Sequence, residues 1–296
     1  MKYRKTVGGI VFNSLNIMLM VLFAVICLLP IWHTLCSSFS MPYDLSRTSG
    51  LVMWPAGRFT TQGYEMVFQN KGVWNGYINT IINVTVGTFL GVLLTYIAAY
   101  VLSRQNLFFG SFLTLIIMFT MWFDGGLIPR YMVVRSLGIL DTRAALIFPT
   151  VMSTFNLIIM RTALSEVPDG LVESATIDGA SHLTIMFRIV MPVTKATLAV
   201  IALYYAVGIW NSWFNASIYL SRNRSLRPLQ LVLRDILINA DTSSINVPSD
   251  ASSATDLFKP LVQYTTIVIA TAPILAVYPF VQKYFVSGVM LGSIKG

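Results

Sequence analysis

Residues 144–221 read AALIFPTVMSTFNLIIM (144–160), RTALSEVPDGLVESATIDGASHLTIMFRIVMPVTK (161–195) and ATLAVIALYYAVGIWNSWFNASIYLS (196–221). An uncharged apolar block, a polar interval holding all the local charge and a second uncharged block follow one another. A charged side chain at the bilayer centre costs about +2.5 to +3.5 kcal/mol on insertion scales, so long intervals without Asp, Glu, Lys or Arg mark candidate crossings. The chain has six: Thr6 to Tyr43, Gly72 to Ser103, Gln105 to Phe123, Ala144 to Met160, Ala196 to Ser221 and Pro260 to Gln282. A helix needs about 20 mostly apolar residues to cross a hydrocarbon core of roughly 30 Å, which each interval supplies once uncharged flanks and snorkelling ends are included. The expected fold is all-α and polytopic: six transmembrane helices, both termini on one side, and a surface helix between the fourth and fifth spans.

Composition agrees with lipid as the solvent. Of 296 residues, 55% are hydrophobic and 11% charged, against roughly 25% charged in a soluble domain; the mean hydropathy is +0.71. These figures exclude disordered, collagen-like and disulfide-built secreted classes. A net charge of +8 would suggest nucleic acid in a soluble protein, but here the charges sit in loops between apolar blocks, and no nucleic-acid partner is expected. Lys2, Arg4 and Lys5 open the chain like a secretory signal. The apolar stretch that follows outruns an h-region of about 7 to 15 residues, and no small-x-small site precedes Pro30, so a retained first span is expected. Cys27 and Cys36 lie in or beside that span and are assigned no redox role.

The shortest interval, Ala144 to Met160, has 17 residues bracketed by Arg143 and Arg161, whose long stems are expected to reach opposite interfaces. The interval after Arg104 ends at Phe123-Asp124-Gly125-Gly126-Leu127-Ile128-Pro129, where two glycines and a proline argue against a straight helix and for a helix end at the interface. With the N-terminus inside, nine of the 20 Lys+Arg fall inside and eleven outside. That gives no positive-inside majority, and only the N-terminal cations favour this orientation.

The polar interval has its own grammar. Pro168 with Asp169 opens a helix, since proline has no amide to waste in the first turn and a carboxylate suits the positive end of the dipole. Gly179 stops it. Leu171, Val172, Ala175 and Thr176 recur at helical spacing as a narrow small-residue face, with Glu173 and Asp178 elsewhere on the surface. Ser181 caps a second short helix, Leu183 to Ile189, running into Met191-Pro192. From the residues alone this is an interfacial amphipathic connector or a helix that fits a groove on a partner protein.

Glu173-Ser174-Ala175, Gly179, Ile189 and Pro192 resemble the cytoplasmic signature of ABC importer permeases, E-A-A-x3-G-x9-I-x-L-P. Ser174 replaces the central alanine and Met191 the leucine. The likeness extends to Phe123–Pro129, Leu137–Thr142, Gly208–Asn215 and Gln282–Met290, and so covers essentially the whole chain. It is similar to the maltose-type carbohydrate-uptake group, close to importers of oligosaccharides and polysaccharide fragments of alginate or pectin type. The resemblance implies a bacterial cytoplasmic (inner) membrane location with both termini cytoplasmic. It implies a tail over 1–9, a six-span permease domain over 10–285 with a coupling loop at 165–192, and a tail over 286–296. It further implies a heterodimer with a second permease subunit, two ATPase subunits and an extracytoplasmic solute-binding protein. Glu173, Ser174, Ala175, Asp178, Gly179, Ile189 and Pro192 would form the contact with the ATPase. The chain has no G-x-x-x-x-G-K-[ST] loop, so it is expected to be no enzyme and to hold no cofactor, with ATP and magnesium on the partner ATPases. Residues 286–296 are either a second ATPase contact or a loose end.

Tyr204, Tyr205, Trp210, Asn211, Trp213 and Asn215 are candidate substrate contacts in or beyond the fifth span. Sugars offer CH faces to aromatic rings and hydroxyls to amides; the alternative for Trp213 and Phe214 is an interfacial aromatic belt. Asn211 and Asn215, four apart and read as sharing a face, contact either sugar or a neighbouring helix. Arg130, Arg135 and Arg143, then Arg222, Arg224 and Arg227, suit an acidic oligosaccharide such as a uronide, the binding protein or lipid headgroups. An intramembrane enzyme is disfavoured, because His33 and His182 are far apart and no zinc-ligand set is present. An ion-coupled secondary transporter or channel is the remaining alternative, although Asp124 is the only carboxylate near a span.

Overall fold

The computed structural model describes residues 7–104, 107–238 and 252–293, and among them every regular element is helical. In lipid no water satisfies backbone groups, so helices, which bond internally, are the available solution. The first stretch holds α1 (Val7–Ser38), α2 (Pro42–Arg47), α3 (Gln62–Gln69) and α4 (Lys71–Leu102). Next come α5 (Gly110–Trp122), α6 (Leu127–Ser136), α7 (Ala144–Ile147), α8 (Thr154–Ser165), α9 (Asp169–Ile177) and α10 (His182–Thr184). The remainder are α11 (Met191–Val193), α12 (Lys195–Trp210), α13 (Phe214–Tyr219), α14 (Leu229–Ile238) and α15 (Ser252–Ser293).

Among the described residues, three helical stretches are long and apolar enough to cross a membrane unbroken: α1, α4 and Leu257–Val277 within α15. Three bent pairs reach the same length and apolarity together: α5 with α6 at 112°, Ala144–Thr150 with α8 at 49°, and His182–Val193 with α12 at 86°. Counted as one span each, they bring the total to the six expected from the charge-free intervals. Each bend has a local cause. Between α5 and α6, Gly126 takes φ +84, and Asp124 accepts the Gly126 N–H and an N–H of Arg130.

Two intervals expected to be single spans are interrupted. Within 144–160, Pro149 has no amide and its ring collides with the carbonyl four residues back; the chain tightens to a 3-10 turn at Phe148–Thr150 and restarts at Thr154. The flanking arginines are also not simple snorkelers. Arg143 donates to Asn79 and Asn83, and Arg161 Nε donates to the Leu102 carbonyl at 3.0 Å, capping the end of α4. Within 196–221, α12 has 16 residues and is therefore about 24 Å long, short of a roughly 30 Å core. It closes on Asn211 and α13 starts afresh at Phe214. The last helix runs through Ser293, so most of the stretch read as a C-terminal tail is helical; 294–296 lie outside the described residues.

Contacts divide the chain into two compact units, Met1–Lys71 with Asp235–Ala272, and Gly72–Arg234 with Pro273–Gly296. In the first, Cys36, Leu45, Val52 and Leu261 form a small core flanked by Phe258 and Tyr264. His33 is structural there: its Nδ1 accepts the Val52 N–H at 2.9 Å, leaving Nε2 to donate to the Tyr264 hydroxyl at 3.2 Å. In the second, Tyr96, Ala99 and Tyr100 of α4, Leu157, Met160 and Leu164 of α8, and Ile201 and Tyr205 of α12 share one core. Tyr205 ties these helices together. Its buried hydroxyl shares a hydrogen bond with Thr95 Oγ1 at 2.7 Å and accepts the Ser153 N–H, released by the Pro149 break, at 2.9 Å. Tyr205→Phe strands that amide and the threonine hydroxyl, so a loss of about 1–3 kcal/mol is expected, measured as a lower thermal midpoint of the detergent-solubilised protein.

Candidate functional site

The interval from Glu166 to Pro192 folds as the sequence grammar dictates at its ends. Pro168 is extended (ψ 129) and precedes α9. The helix closes with two reciprocal bonds, Gly179 N–H to the Thr176 carbonyl and Ala180 N–H to the Ala175 carbonyl, both at 3.0 Å. This is a Schellman motif, and it requires a left-handed residue after the cap; Gly179 has φ +77. Ser181 Oγ then accepts the Thr184 N–H and caps α10.

The second helix differs from the expected α-helix over Leu183 to Ile189. Residues Ile185–Val190 wind as a π-helix, with Met191 N–H reaching back to the Met186 carbonyl. Pro192 follows at once. A proline that supplies no amide, and a π-turn inserted ahead of it, are recognised causes of local unwinding.

The inward face is narrower than Leu171, Val172, Ala175 and Thr176. Ala175 is buried and Val172 half-buried, while Leu171 and Thr176 are exposed. Ala175, Ile185, Met186 and Val190 enter the core built by α4, α8 and α12, with Val172, Ile189 and Met191 packed against it. Tyr96 of α4 donates its buried hydroxyl to the Met186 carbonyl at 2.6 Å. The opposite face carries Glu173, Ser174 and Ile177, flanked by Asp178 and Gly179, all exposed. Ile177 is 85% exposed and Leu183 66%, so a surface helix presents apolar groups beside two carboxylates to whatever lies outside it. Pro192 is exposed and Ile189 half-buried.

A second feature lies between α4, α8 and α12: a cavity of about 370 Å³ lined by Thr80, Asn83, Ser153, Asn156, Tyr204 and Tyr205, with Leu146, Phe155, Ile209 and Ser212 among the other walls. Of the residues proposed from sequence as substrate contacts, Tyr204 and Tyr205 line it. Trp210 is half-buried and meets Tyr77 edge to face at 6.4 Å. Asn211 is exposed at the end of α12, and Asn215 is half-buried in α13. The chain turns between them, so the four-residue spacing does not put them on one helix face. Trp213 stacks under the Arg234 guanidinium at 4.4 Å and meets Phe214 edge to face.

Sequence reasoning missed Asn83 and Asn156, each 4% exposed. The available signal was an amide in an otherwise apolar, charge-free interval, where polar side chains are expensive and need a partner.

Beside the cavity, polar bonds join distant segments. Asn79 Nδ2 donates to the Ser225 and Arg227 carbonyls at 2.7 and 3.1 Å, and Thr80 Oγ1 accepts the Leu229 N–H at 2.8 Å. Asp141 accepts the backbone N–H groups of Arg222 and Asn223 at 2.7 and 3.2 Å. The Arg222 amide, chiefly, holds its carboxyl below the usual carboxylate range. Of the arginines singled out in the sequence, Arg135, Arg222 and Arg224 are exposed, Arg143 and Arg227 half-buried, and Arg130 pairs with Asp124. Among the described residues, no group of three or more His, Cys, Asp or Glu is gathered.

Comparison with known proteins adds a frame to this geometry. Residues 91–290 match the family described as binding-protein-dependent transport system inner membrane components. The chain is 37% identical to the protein LplC of Bacillus subtilis over 98% of its own length and 97% of that protein's. It is 36% identical to a polygalacturonan/rhamnogalacturonan transport system permease, YtcP, of the same organism, over 96% of this chain and 98% of the relative. Among solved structures, a chain of a bacterial ABC transporter involved in the import of the acidic polysaccharide alginate superposes with a TM-score of 0.84 at 30% identity, covering 95% of this chain and 98% of that one.

The Tyr96 bond sets a test of how the surface segment is held. Tyr96→Phe removes one buried hydroxyl and leaves the π-turn carbonyl with a single donor. Hydrogen exchange over residues 181–192 is expected to quicken by about tenfold, as for a local opening made about 1.4 kcal/mol easier, with α1 unchanged.

Proposed function

Since the chain belongs to the binding-protein-dependent transport system inner membrane components, a multi-pass family of the inner membrane, we propose that it forms half of the path by which an ABC importer moves an oligosaccharide. The other half comes from a second permease. Two ATPase subunits bind ATP and magnesium and perform the hydrolysis, and an extracytoplasmic solute-binding protein delivers the sugar. Both termini are cytoplasmic, which puts the segment between the fourth and fifth spans on the same side, facing the ATPases. The sugar class is supported by the relatives, which include a polygalacturonan/rhamnogalacturonan permease and the alginate importer.

One observation carries the coupling role. Helix α9 exposes Glu173, Ser174 and Ile177 outward, while Ala175 is buried in the core that holds α4, α8 and α12. A force applied to the outer face therefore reaches the spans through close-packed side chains, not through a flexible loop. Glu173, Ser174, Asp178 and Gly179 make the ATPase contact; Ala175 and Ile189 transmit it, and Pro192 fixes the join to the fifth span. On the substrate side, Tyr204 and Tyr205 with Asn83 and Asn156 offer rings and amides to the sugar. Trp210, Asn211, Trp213 and Asn215 continue that lining toward the mouth.

Glu173→Lys inverts the charge of the outer face, and Gly179→Pro fixes φ near −65°, which forbids the Schellman turn. In proteoliposomes holding the complete importer, both variants are expected to insert and assemble in normal amounts but to lose sugar-dependent ATP hydrolysis and uptake by about tenfold or more, within the usual range of a coupling free energy. Wild-type transport by both would defeat the assignment.

A further inference from the structure

Arg143 immediately precedes α7, one hydrogen bond from the cavity wall. Its Nη2 donates to Asn79 Oδ1 at 2.9 Å and its Nη1 to Asn83 Oδ1 at 3.4 Å. Both acceptors are neutral. The Asn79 amide cannot turn to offer anything else, because its nitrogen is held by the Ser225 and Arg227 carbonyls. A carboxylate lies two residues away in sequence, but Asp141 is occupied by the amides of Arg222 and Asn223. Asp124 in turn is engaged by Arg130. Arg143 is thus half-buried, positively charged and uncompensated, and three of its five N–H donors are unused.

The cavity next to it offers open amide donors. Asn83 turns its oxygen to Arg143, and its nitrogen has no partner among the described residues. The Asn156 side-chain amide has none either, although Asn156 is 4% exposed and lines the cavity. Neither amide nitrogen is among the fully buried unpartnered atoms, so both stay open to a group in the cavity, and a guanidinium with neutral partners is stabilised by an incoming carboxylate far more than by a hydroxyl. We propose that Arg143, positioned by Asn79 and Asn83, binds the carboxylate of a uronic-acid unit at the edge of this cavity and selects acidic over neutral oligosaccharides. Asn83 and Asn156 then take the hydroxyls of the same unit. The inference rests on the reading of the chain as an oligosaccharide permease and names the charge of its substrate.

The test uses the purified importer complex in neutral detergent without its binding protein, so that only the membrane path contributes to selectivity. Binding of trigalacturonate is compared with binding of its fully methyl-esterified form, which keeps the skeleton and removes the charge. Wild type is expected to bind the acid about tenfold or more tightly, the equivalent of one charge-assisted hydrogen bond. Arg143→Gln abolishes that preference with little change for the ester, and Arg143→Lys retains part of it. Asn83→Asp is a second variant: it keeps the acceptor for Arg143 and supplies an internal carboxylate that neutralises the arginine, at the cost of the amide donor to the sugar; it is expected to weaken the ester modestly and the acid much more, and so to lose the preference. Equal weakening for acid and ester in Arg143→Gln and Asn83→Asp would overturn the inference, as would displacement of the acid by phosphatidylglycerol, which would assign the arginine to lipid headgroups. If wild type binds the ester as well as the acid, the charge selection fails and the permease reading stands. Binding of neither probe overturns the inference and leaves the permease reading, which rests on the family match, in place.

Discussion

Ala175, Ile185, Met186 and Val190 lie in one continuous core with Tyr96, Leu157, Met160 and Ile201, and this shared packing joins a surface helix to three membrane-spanning elements. Protein interiors are as dense as organic crystals and yield little under load, so α9 cannot be displaced without moving α4, α8 or α12. The polar contacts follow the same lines. Tyr96 reaches the π-turn, and Tyr205 binds Thr95 and the freed Ser153 amide. Packing and hydrogen bonding together make the segment between the fourth and fifth spans part of the membrane domain, although it lies outside the apolar intervals.

The broken helices belong to the same design. Unbroken helices in lipid bond all their backbone groups internally and leave nothing for a solute. Interruptions at 123–126, 151–153 and 211–213 release backbone groups, and these are tolerated where protein or a water-filled space meets them. The cavity wall includes Ser153 and Ser212, one at each of the latter two breaks. Polar groups thereby reach a cavity wall inside a chain that is 55% hydrophobic, without a charged residue at the centre of an apolar interval.

How much of this could be read beforehand depends on how far apart the causes lie. The ends of the surface segment were legible because Pro168, Asp169, Gly179 and Ser181 each govern a backbone turn within three or four residues. The number of spans was legible because charge is a local property. The interruption at Pro149 was visible in the letters, but a count of charges does not register a missing amide. The π-turn at Ile185–Val190 and the exposure of Leu171 depend on what α4 and α12 leave room for. Asn83 meets Arg143 across 60 positions and Tyr205 meets Thr95 across 110; no local pattern encodes either pairing. The spacing of Asn211 and Asn215 suggested one helix face only because the break between them had not been placed.

Gly179 closes α9 with φ +77, and a Cβ built there meets nothing within 4 Å. The space around the position is open, so the demand for glycine is one of handedness and not of room. A side chain of the L series is strained there by its own backbone, whereas one of the mirror-image series would enter the turn unstrained. A semisynthetic chain carrying D-alanine at this single site would keep the turn, and would gain stability from the smaller freedom of its unfolded state.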